Sequence, residues 1–370
     1  MSLKDKLYAA QLSLRQRSAA RSIKPAAAPV VDPATFAPEK VLFVLSGLIG
    51  DSVMSIATLQ AARGLWPNAR ISVMGKRHNR ELIEACGFFD EFYECNADPF
   101  SLRRSSEIEK LKLWLKDEGF DAAFILLGDQ FAHLLARAGI PVRVGVKGTR
   151  LESCLTHSYD IGSPRAWGVN ERLGALRCLG YDIVNALPKL CVEIETRDAT
   201  RSKLKELGLR NGENYIVLHP FGSTRRQWWS LERAIQLAEV TKNAATVVVG
   251  GEATALPERR EVESRIINAT GQLTLPELIA LIDGSVLVVT TDSGPYHIAG
   301  ALGKPIVGLF RSRRPEHAKQ YPTSAVVFGK NEECMKSCEW DVCRAEPCRQ
   351  MSDITVDDVK HAVEERLAVV

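Results

Sequence analysis

The segment from Val286 to Phe310 constrains the fold more than any other part of the chain. It reads Val-Leu-Val-Val-Thr-Thr-Asp-Ser-Gly-Pro-Tyr-His-Ile-Ala-Gly-Ala-Leu-Gly-Lys-Pro-Ile-Val-Gly-Leu-Phe. Val286 to Thr290 is a β-branched apolar run, the pattern of a strand buried on both faces. Asp292 stands where a helix would be N-capped, and Pro295 suits the first turn. Ile298 to Leu302 continue the helix, Gly303 and Pro305 stop it, and Ile306 to Phe310 form the next strand. Strand, tight turn, helix and strand at this spacing predict a parallel sheet. The turn leaves backbone N–H groups and the positive end of a helix dipole at the carboxyl edge of that sheet, which suits an anion. Ser293, Gly294 and His297 would then supply a hydroxyl, close backbone access and a cationic donor. The same residues equally suit a capped helix, a turn glycine and a packed histidine.

Asp-Ser-Gly-Pro-Tyr-His, then Ala-Leu-Gly-Lys-Pro and a strand ending Gly-Leu-Phe, resembles the donor-binding signature of the heptosyltransferase-type glycosyltransferases, glycosyltransferase family 9. The resemblance implies an α/β protein of GT-B architecture, with two Rossmann-like domains facing across a cleft. It implies inverting, metal-independent transfer of a sugar from a nucleotide-diphospho-sugar, ADP-heptose in the family, to a glycan or lipid-linked acceptor such as lipopolysaccharide core. Asp292, Ser293, Gly294 and His297 would hold the donor diphosphate. The implied setting is the cytoplasm, at the face of the inner membrane.

The 370 residues suggest two domains. The first is expected over 40–188 and takes the acceptor in the family. Lys40 to Ser46 reads as a buried strand, Gly47-Leu-Ile-Gly50-Asp51 as a turn and Ser52 to Leu65 as a helix, a Rossmann-like opening. The Gly-x-Gly-x-x-Gly fingerprint is absent, which argues against a dehydrogenase. This segment resembles the family's N-terminal Gly-Asp motif, and that makes Asp51 the candidate general base, taking a proton from an acceptor hydroxyl. A simple N-cap is the competing role. Strand–helix alternation continues through Arg70–Met74, Asn79–Cys86, Glu91–Glu94, Ile108–Glu118, Asp121–Leu127, Gln130–Ala138, Val142–Val146 and a helix from Asn170 to Leu179. Lys76, Arg77, Arg103, Arg104, Lys147 and Arg150 are candidates for phosphorylated or acidic sugars, although solvated surface is the common fate of such charges.

The second domain, 189–350, is expected to bind the nucleotide-sugar. Asn214 to His219 is its first strand, 220–230 a loop and Leu231 to Val240 a helix. The loop resembles the family's donor loop: Gly222, Ser223, Thr224 and Trp229 fit, but Gln227 stands where a lysine is expected. Arg225 or Arg226 is then the candidate to meet phosphate, as a guanidinium does well. Ala245 to Glu252 is the next strand and turn, and Glu252 is a candidate for a ribose hydroxyl, with Glu258 a second. The final segment, 351–370, predicts an amphipathic helix with Val356, Val359, Val363 and Leu367 on one face. In GT-B folds such a helix packs back across the first domain.

Two segments stand outside this pattern. Residues 1–24 carry six basic side chains against one acid, so the rest of the chain is net negative despite an overall charge of +3. Leu3, Leu7, Ala10 and Leu14 would share a helix face, which suits either peripheral contact with an anionic membrane or a frayed helix or subunit contact. Pro25 to Pro38 reads as a linker. Cys334, Cys338, Cys343 and Cys348 form a cluster near the end, suited to structural zinc or iron, to plain thiols or to a disulfide pair. No apolar run is long enough to span a membrane, no secretory signal is visible, and the weak charge gives no case for nucleic acid as a partner. The competing readings are a catalytically lapsed nucleotide-sugar-binding scaffold, motivated by Gln227, and a GT-B-type sugar epimerase.

Overall fold

The computed structural model describes residues 3–23, 28–100, 106–162, 168–184, 186–241, 244–252, 254, 256, 266–311, 321–332, 334, 343 and 345–368, with side chains from residue 10 onward. The chain divides into two compact units, Met1–Pro188 and Lys189–Val370.

The first unit is built on β1 (Lys40–Leu45), β2 (Arg70–Gly75), β3 (Glu91–Glu94), β4 (Ala122–Ile125), β5 (Val142–Val146) and β6 (His157–Tyr159). They form one parallel sheet in the order β3-β2-β1-β4-β5-β6. Its helices are α1 (Leu3–Arg21), α2 (Ile49–Leu65), α3 (Arg77–Ile83), α4 (Ser106–Glu118), α5 (Ala132–Arg137) and α6 (Val169–Arg177). Val41 to Leu45 are all buried, because β1 is central and covered on both faces. On one face Leu42, Val44, Ala123 and Ile125 pack with α4 and α5 residues such as Leu111, Leu115 and Leu135. Elsewhere in the unit Phe43 stacks on Phe124 at 4.9 Å. Strand order reverses between β1 and β4, the place where open α/β sheets leave a crevice at their carboxyl edge.

The second unit repeats the plan. It contains β7 (Tyr215–His219), β8 (Ala245–Val248), β9 (Ile266–Asn268), β10 (Leu287–Thr291), β11 (Ile306–Phe310) and β12 (Ser324–Phe328), parallel in the order β12-β11-β10-β7-β8-β9. Its described helices are α7 (Ile194–Glu206), α8 (Leu231–Val240), α9 (Leu275–Gly284), α10 (Gly294–Ala301), α11 (Arg349–Asp353) and α12 (Val356–Leu367). The reversal here lies between β7 and β10, which pair with Thr290 opposite His219. The final helix α12 packs on its own unit. Its apolar face, Val359, Ala362 and Val363, is buried in the core of its own unit with Leu218, Trp229 and Leu309.

The N-terminal arm packs on the first unit. It is helical, but the face that docks is Leu12, Ala19, Ala20 and Ile23, packed on the first unit's core. Leu14 is 65% exposed. Polar bonds complete the docking: Arg15 Nη1 donates to the Phe100 carbonyl at 3.2 Å, and Arg150 Nη1 donates to Gln16 Oε1 at 2.9 Å. Part of the linker is anchored too, since Phe36 meets Trp66 edge-on at 6.0 Å. Among the described residues no helix is long and apolar enough to cross a membrane.

Buried beneath the first sheet's edge, His133 is 7% exposed and packs on the Phe100 ring at 4.7 Å. Burial pushes its imidazole down to about 4. The unfolded chain takes up this proton near the ordinary histidine value, whereas the fold resists it until about 4. Stability is therefore retained at neutral pH and lost as pH falls from about 6.5 towards 4, by about 1 kcal/mol at pH 5.5 from this group. Denaturant melts of wild type and His133→Asn should show a flatter pH slope in the variant over that window; equal slopes would contradict the assignment.

Candidate functional site

In the first unit the loop after β1 meets the loop after β4. Ser46 Oγ donates to the Leu127 carbonyl at 2.7 Å, closing the strand-order reversal. The chain then turns through Gly47, where a Cβ would come within 2.3 Å of the Asp51 Cβ. That glycine is what lets Asp51, in the first turn of α2, stand under the loop. The N-cap of α2 is Leu48, not Asp51; from the third helical position Asp51 Oδ2 accepts the Leu48 N–H at 3.1 Å. Its other oxygen does more. Asp51 Oδ1 accepts from Arg172 Nη2 at 2.9 Å. Arg172 lies on α6, is 1% exposed, and also donates to Ser55 Oγ at 3.1 Å and to the Gly168 carbonyl at 3.2 Å. A buried guanidinium thus fixes the carboxylate, whose own side chain remains 28% exposed. Sequence reasoning missed Arg172. The signal was an arginine on the apolar face of a helix, between Val169 and Leu173.

In the second unit, two loops follow the two strands that flank the reversal. After β7 comes the 220–229 loop, pinned at its far end by Trp229. That residue is 1% exposed, and its Nε1 donates to the Ile354 carbonyl at 3.0 Å. After β10 comes the Asp292–Gly294 turn. Gln227 joins them. Its Oε1 accepts from Ser223 Oγ at 2.8 Å and from the Thr224 N–H at 3.3 Å, and its Nε2 donates to the Asp292 carbonyl at 3.2 Å. A lysine offers no acceptor, so it could not make the first two of these bonds. Gly222 leaves the room: a Cβ there would stand 2.5 Å from the Gln227 Cβ. The Thr291 hydroxyl also donates to the Phe221 carbonyl, a second tie between the loops.

The N-cap of α10 is Ser293, not Asp292, and its hydroxyl does not cap the helix. Instead it donates to the Thr291 carbonyl at 3.0 Å and lies 3.2 Å from His219 Nδ1. The hydroxyl is drawn back to the strand end, which leaves the start of α10 without a side-chain cap. His219, unremarked in the sequence beyond ending a strand, orients both Ser293 and Thr290. Burial of its ring pushes it down to about 4, so it is neutral near pH 7.

The other candidates are placed differently. His297 is 6% exposed within α10, with Nδ1 3.1 Å from the Tyr321 hydroxyl. Arg226 Nη1 donates to the Cys343 carbonyl, and Arg225 lies over the Trp228 ring at 5.4 Å. Glu252 is exposed on the turn beyond β8, and no bond is recorded between it and the Gln227 network. Glu258 lies outside the described residues, as do Arg103 and Arg104. Of the terminal cysteines, Cys338 is likewise outside them. Cys348 is buried in the apolar core beside Met351 and Ile354. Among the described residues no group of three or more His, Cys, Asp or Glu could hold a metal ion.

Comparison with known proteins places the chain in a family. The sequence model of glycosyltransferase family 9 (heptosyltransferase) matches residues 108–347. Lipopolysaccharide heptosyltransferase 2 of Escherichia coli K12 is 26% identical over 304 residues, 75% of this chain and 84% of that protein. A glycosyl transferase family 9 structure from Veillonella parvula superposes with a TM-score of 0.77 at 20% identity, covering 92% of this chain and all of that one. The E. coli ADP-heptose lipopolysaccharide heptosyltransferase II gives 0.72 at 21% identity, covering 89% and 99%. The two parallel six-stranded α/β sheets are those of a GT-B glycosyltransferase.

The Asp51–Arg172 pair makes a stability prediction. Removing one side of a buried ion pair costs roughly 3–5 kcal/mol, less where one partner is partly solvated. Asp51→Ala should therefore lower the urea midpoint clearly more than Asp51→Asn, which keeps an oxygen for the guanidinium. Equal midpoints would mean the pair does not form. For the loop tie, Gln227→Ala should weaken ADP binding about tenfold, read by calorimetry, with little change in melting temperature.

Proposed function

The chain belongs to glycosyltransferase family 9, the heptosyltransferases, and from that premise we propose that it moves a heptose from ADP-heptose to a lipopolysaccharide-core-type glycan, with inversion at the anomeric carbon. The observation that carries this reading is the Gln227 tie. It holds the 222–224 segment against the turn that opens α10, at the strand-order reversal of the second sheet. In E. coli the relatives are named for lipopolysaccharide and for ADP-heptose.

In this account the donor diphosphate is met by the Ser223 and Thr224 segment and by the uncapped start of α10, where backbone N–H groups and the helix dipole favour negative charge. His219 and Thr290 hold Ser293 in register. Glu252 takes the ribose end, and His297, locked by Tyr321, buttresses the helix. Arg226 steadies the loop through the Cys343 carbonyl. Asp51 of the first unit removes the proton from the acceptor hydroxyl as that oxygen bonds to the anomeric carbon. The bond from that carbon to the phosphate oxygen breaks, and ADP leaves with the electron pair. Charge growing on the departing diphosphate is what preorganised donors stabilise best. The enzyme would work at the cytoplasmic face of the inner membrane.

A second reading, a nucleotide-sugar-binding scaffold without turnover, is favoured by one observation: Gln227 replaces a lysine cation with a neutral amide. Titration with ADP, UDP, GDP and CMP in metal-free buffer, followed by a transfer assay, separates the two. The transferase should bind ADP selectively and release ADP from ADP-heptose only with acceptor. Asp51→Asn should bind ADP normally and lose at least a hundredfold in transfer rate. ADP binding without any turnover would favour the scaffold, donor hydrolysis without acceptor would favour an epimerase-like chemistry, and no nucleotide binding would remove all three.

A further inference from the structure

The turn that carries Asp51 is held by its backbone as well as by Arg172. The hold comes from the start of α3, which follows β2. His78, in the first turn of α3, places its Nε2 3.2 Å from the Gly47 carbonyl oxygen. A carbonyl only accepts, so the ring donates and Nε2 carries the proton. Asn79 makes a second tie. Its Nδ2 donates to Ser52 Oγ, and that hydroxyl donates to the Leu48 carbonyl at 2.9 Å. Asn79 Oδ1 accepts the Lys76 N–H at 2.6 Å, which fixes the direction of the amide. Two successive carbonyls of the turn, Gly47 and Leu48, are therefore held from α3, one directly and one through a hydroxyl.

Glycines make room for both ties. A Cβ on Gly75 would lie 2.7 Å from Asn79 Oδ1. Gly47, whose bare Cα faces the Asp51 side chain, packs its backbone on that side chain. Whatever sets the Gly47 carbonyl thus sets the backbone beside the carboxylate. The two ties differ in burial. Asn79 is fully buried and Ser52 is 1% exposed, as suits a bond that holds the fold. His78 is only half-buried, and its bond leaves its own helix for a carbonyl 31 residues earlier in the chain. The flanking cations do not share its direction: Arg77 pairs with Glu81 at 2.8 Å, and Lys76 is exposed.

We propose that His78 is a positioning residue for the base: by donating to the Gly47 carbonyl it holds the turn, and Asp51 with it, where the carboxylate takes the acceptor proton. The inference rests on the reading of Asp51 as the base of a family 9 transfer. Arg172 fixes one carboxylate oxygen, and His78 fixes the backbone against which the side chain stands. The imidazole exchanges no proton with substrate; the acceptor proton goes to Asp51. A base must lie within hydrogen-bond reach of the hydroxyl it serves, and a small displacement slows the chemical step without weakening the binding of substrate.

The test is steady-state transfer by the full chain, read as ADP release from ADP-heptose with lipopolysaccharide core oligosaccharide as acceptor. His78→Ala should lower kcat about tenfold, the worth of one hydrogen bond, with KM for donor and acceptor and the melting temperature near wild type. His78→Gln, whose amide nitrogen also donates, should recover most of the loss. Amide exchange over residues 47–52 should quicken in His78→Ala and return towards wild type in His78→Gln. An unchanged kcat in His78→Ala would overturn the assignment. A loss that His78→Gln fails to recover, or a lowered melting temperature in both variants, would overturn it by making His78 a packing residue. A raised acceptor KM at intact kcat would overturn it by placing the imidazole on the substrate. Each of these outcomes leaves an active wild type and the transferase reading intact. A wild type that binds ADP yet releases none from ADP-heptose would remove the transferase reading and this inference with it.

Discussion

Gln227 bridges the two loops at the open edge of the second sheet. Gln227 accepts from Ser223 and Thr224 and donates to the Asp292 carbonyl, so a single amide ties together loops that leave two different strands. Everything around it serves that tie. Gly222 leaves room for its Cβ, Trp229 anchors the loop in the core, and Thr291 binds the Phe221 carbonyl. Loops are the mobile part of an α/β fold, and a bridge between them restricts both at once. A lysine at this position would bring charge but no acceptor. The amide therefore serves here as a scaffold bond between the two loops.

The first unit shows the complementary constraint. Arg172 holds the Asp51 carboxylate from inside the protein. The guanidinium has three further ties on Ser55, Gly168 and Met54, so its position is set by the packing of α6 against α2. The same pair couples chemistry to stability, because an arginine buried this deeply needs its carboxylate. An alanine variant would leave the guanidinium without a partner, whereas asparagine keeps an oxygen for it and removes the charge.

Most of the framework was legible in the sequence, for a physical reason. Strands such as Val41–Leu45 and Leu287–Thr291 are buried on both faces, and a continuous β-branched or aliphatic run has few other destinations. The three-residue strands at His157 and Ile266 were not legible, because so short a mixed segment carries no period. β12 lies at the sheet's edge with every residue only partly covered, and α7 buries only Thr200 and Leu204. Site residues followed the same division. Asp51, Ser293 and Gln227 sit in turns whose chemistry is local. Arg172 and His219 matter through partners far along the chain, 121 residues away for Arg172 and 74 for His219, and no local pattern reports such a pairing. Ser293, not Asp292, holds the N-cap position, and its hydroxyl bonds the strand end rather than the helix.

The most direct measurement of the central claim is a crystal structure of the protein with ADP. The account predicts the diphosphate against Ser223, Thr224 and the first turn of α10, with Gln227 still bridging Ser223 and the Asp292 carbonyl. ADP bound away from this edge, or Gln227 swung out of the bridge so that Arg225 or Arg226 takes the phosphate, would contradict it.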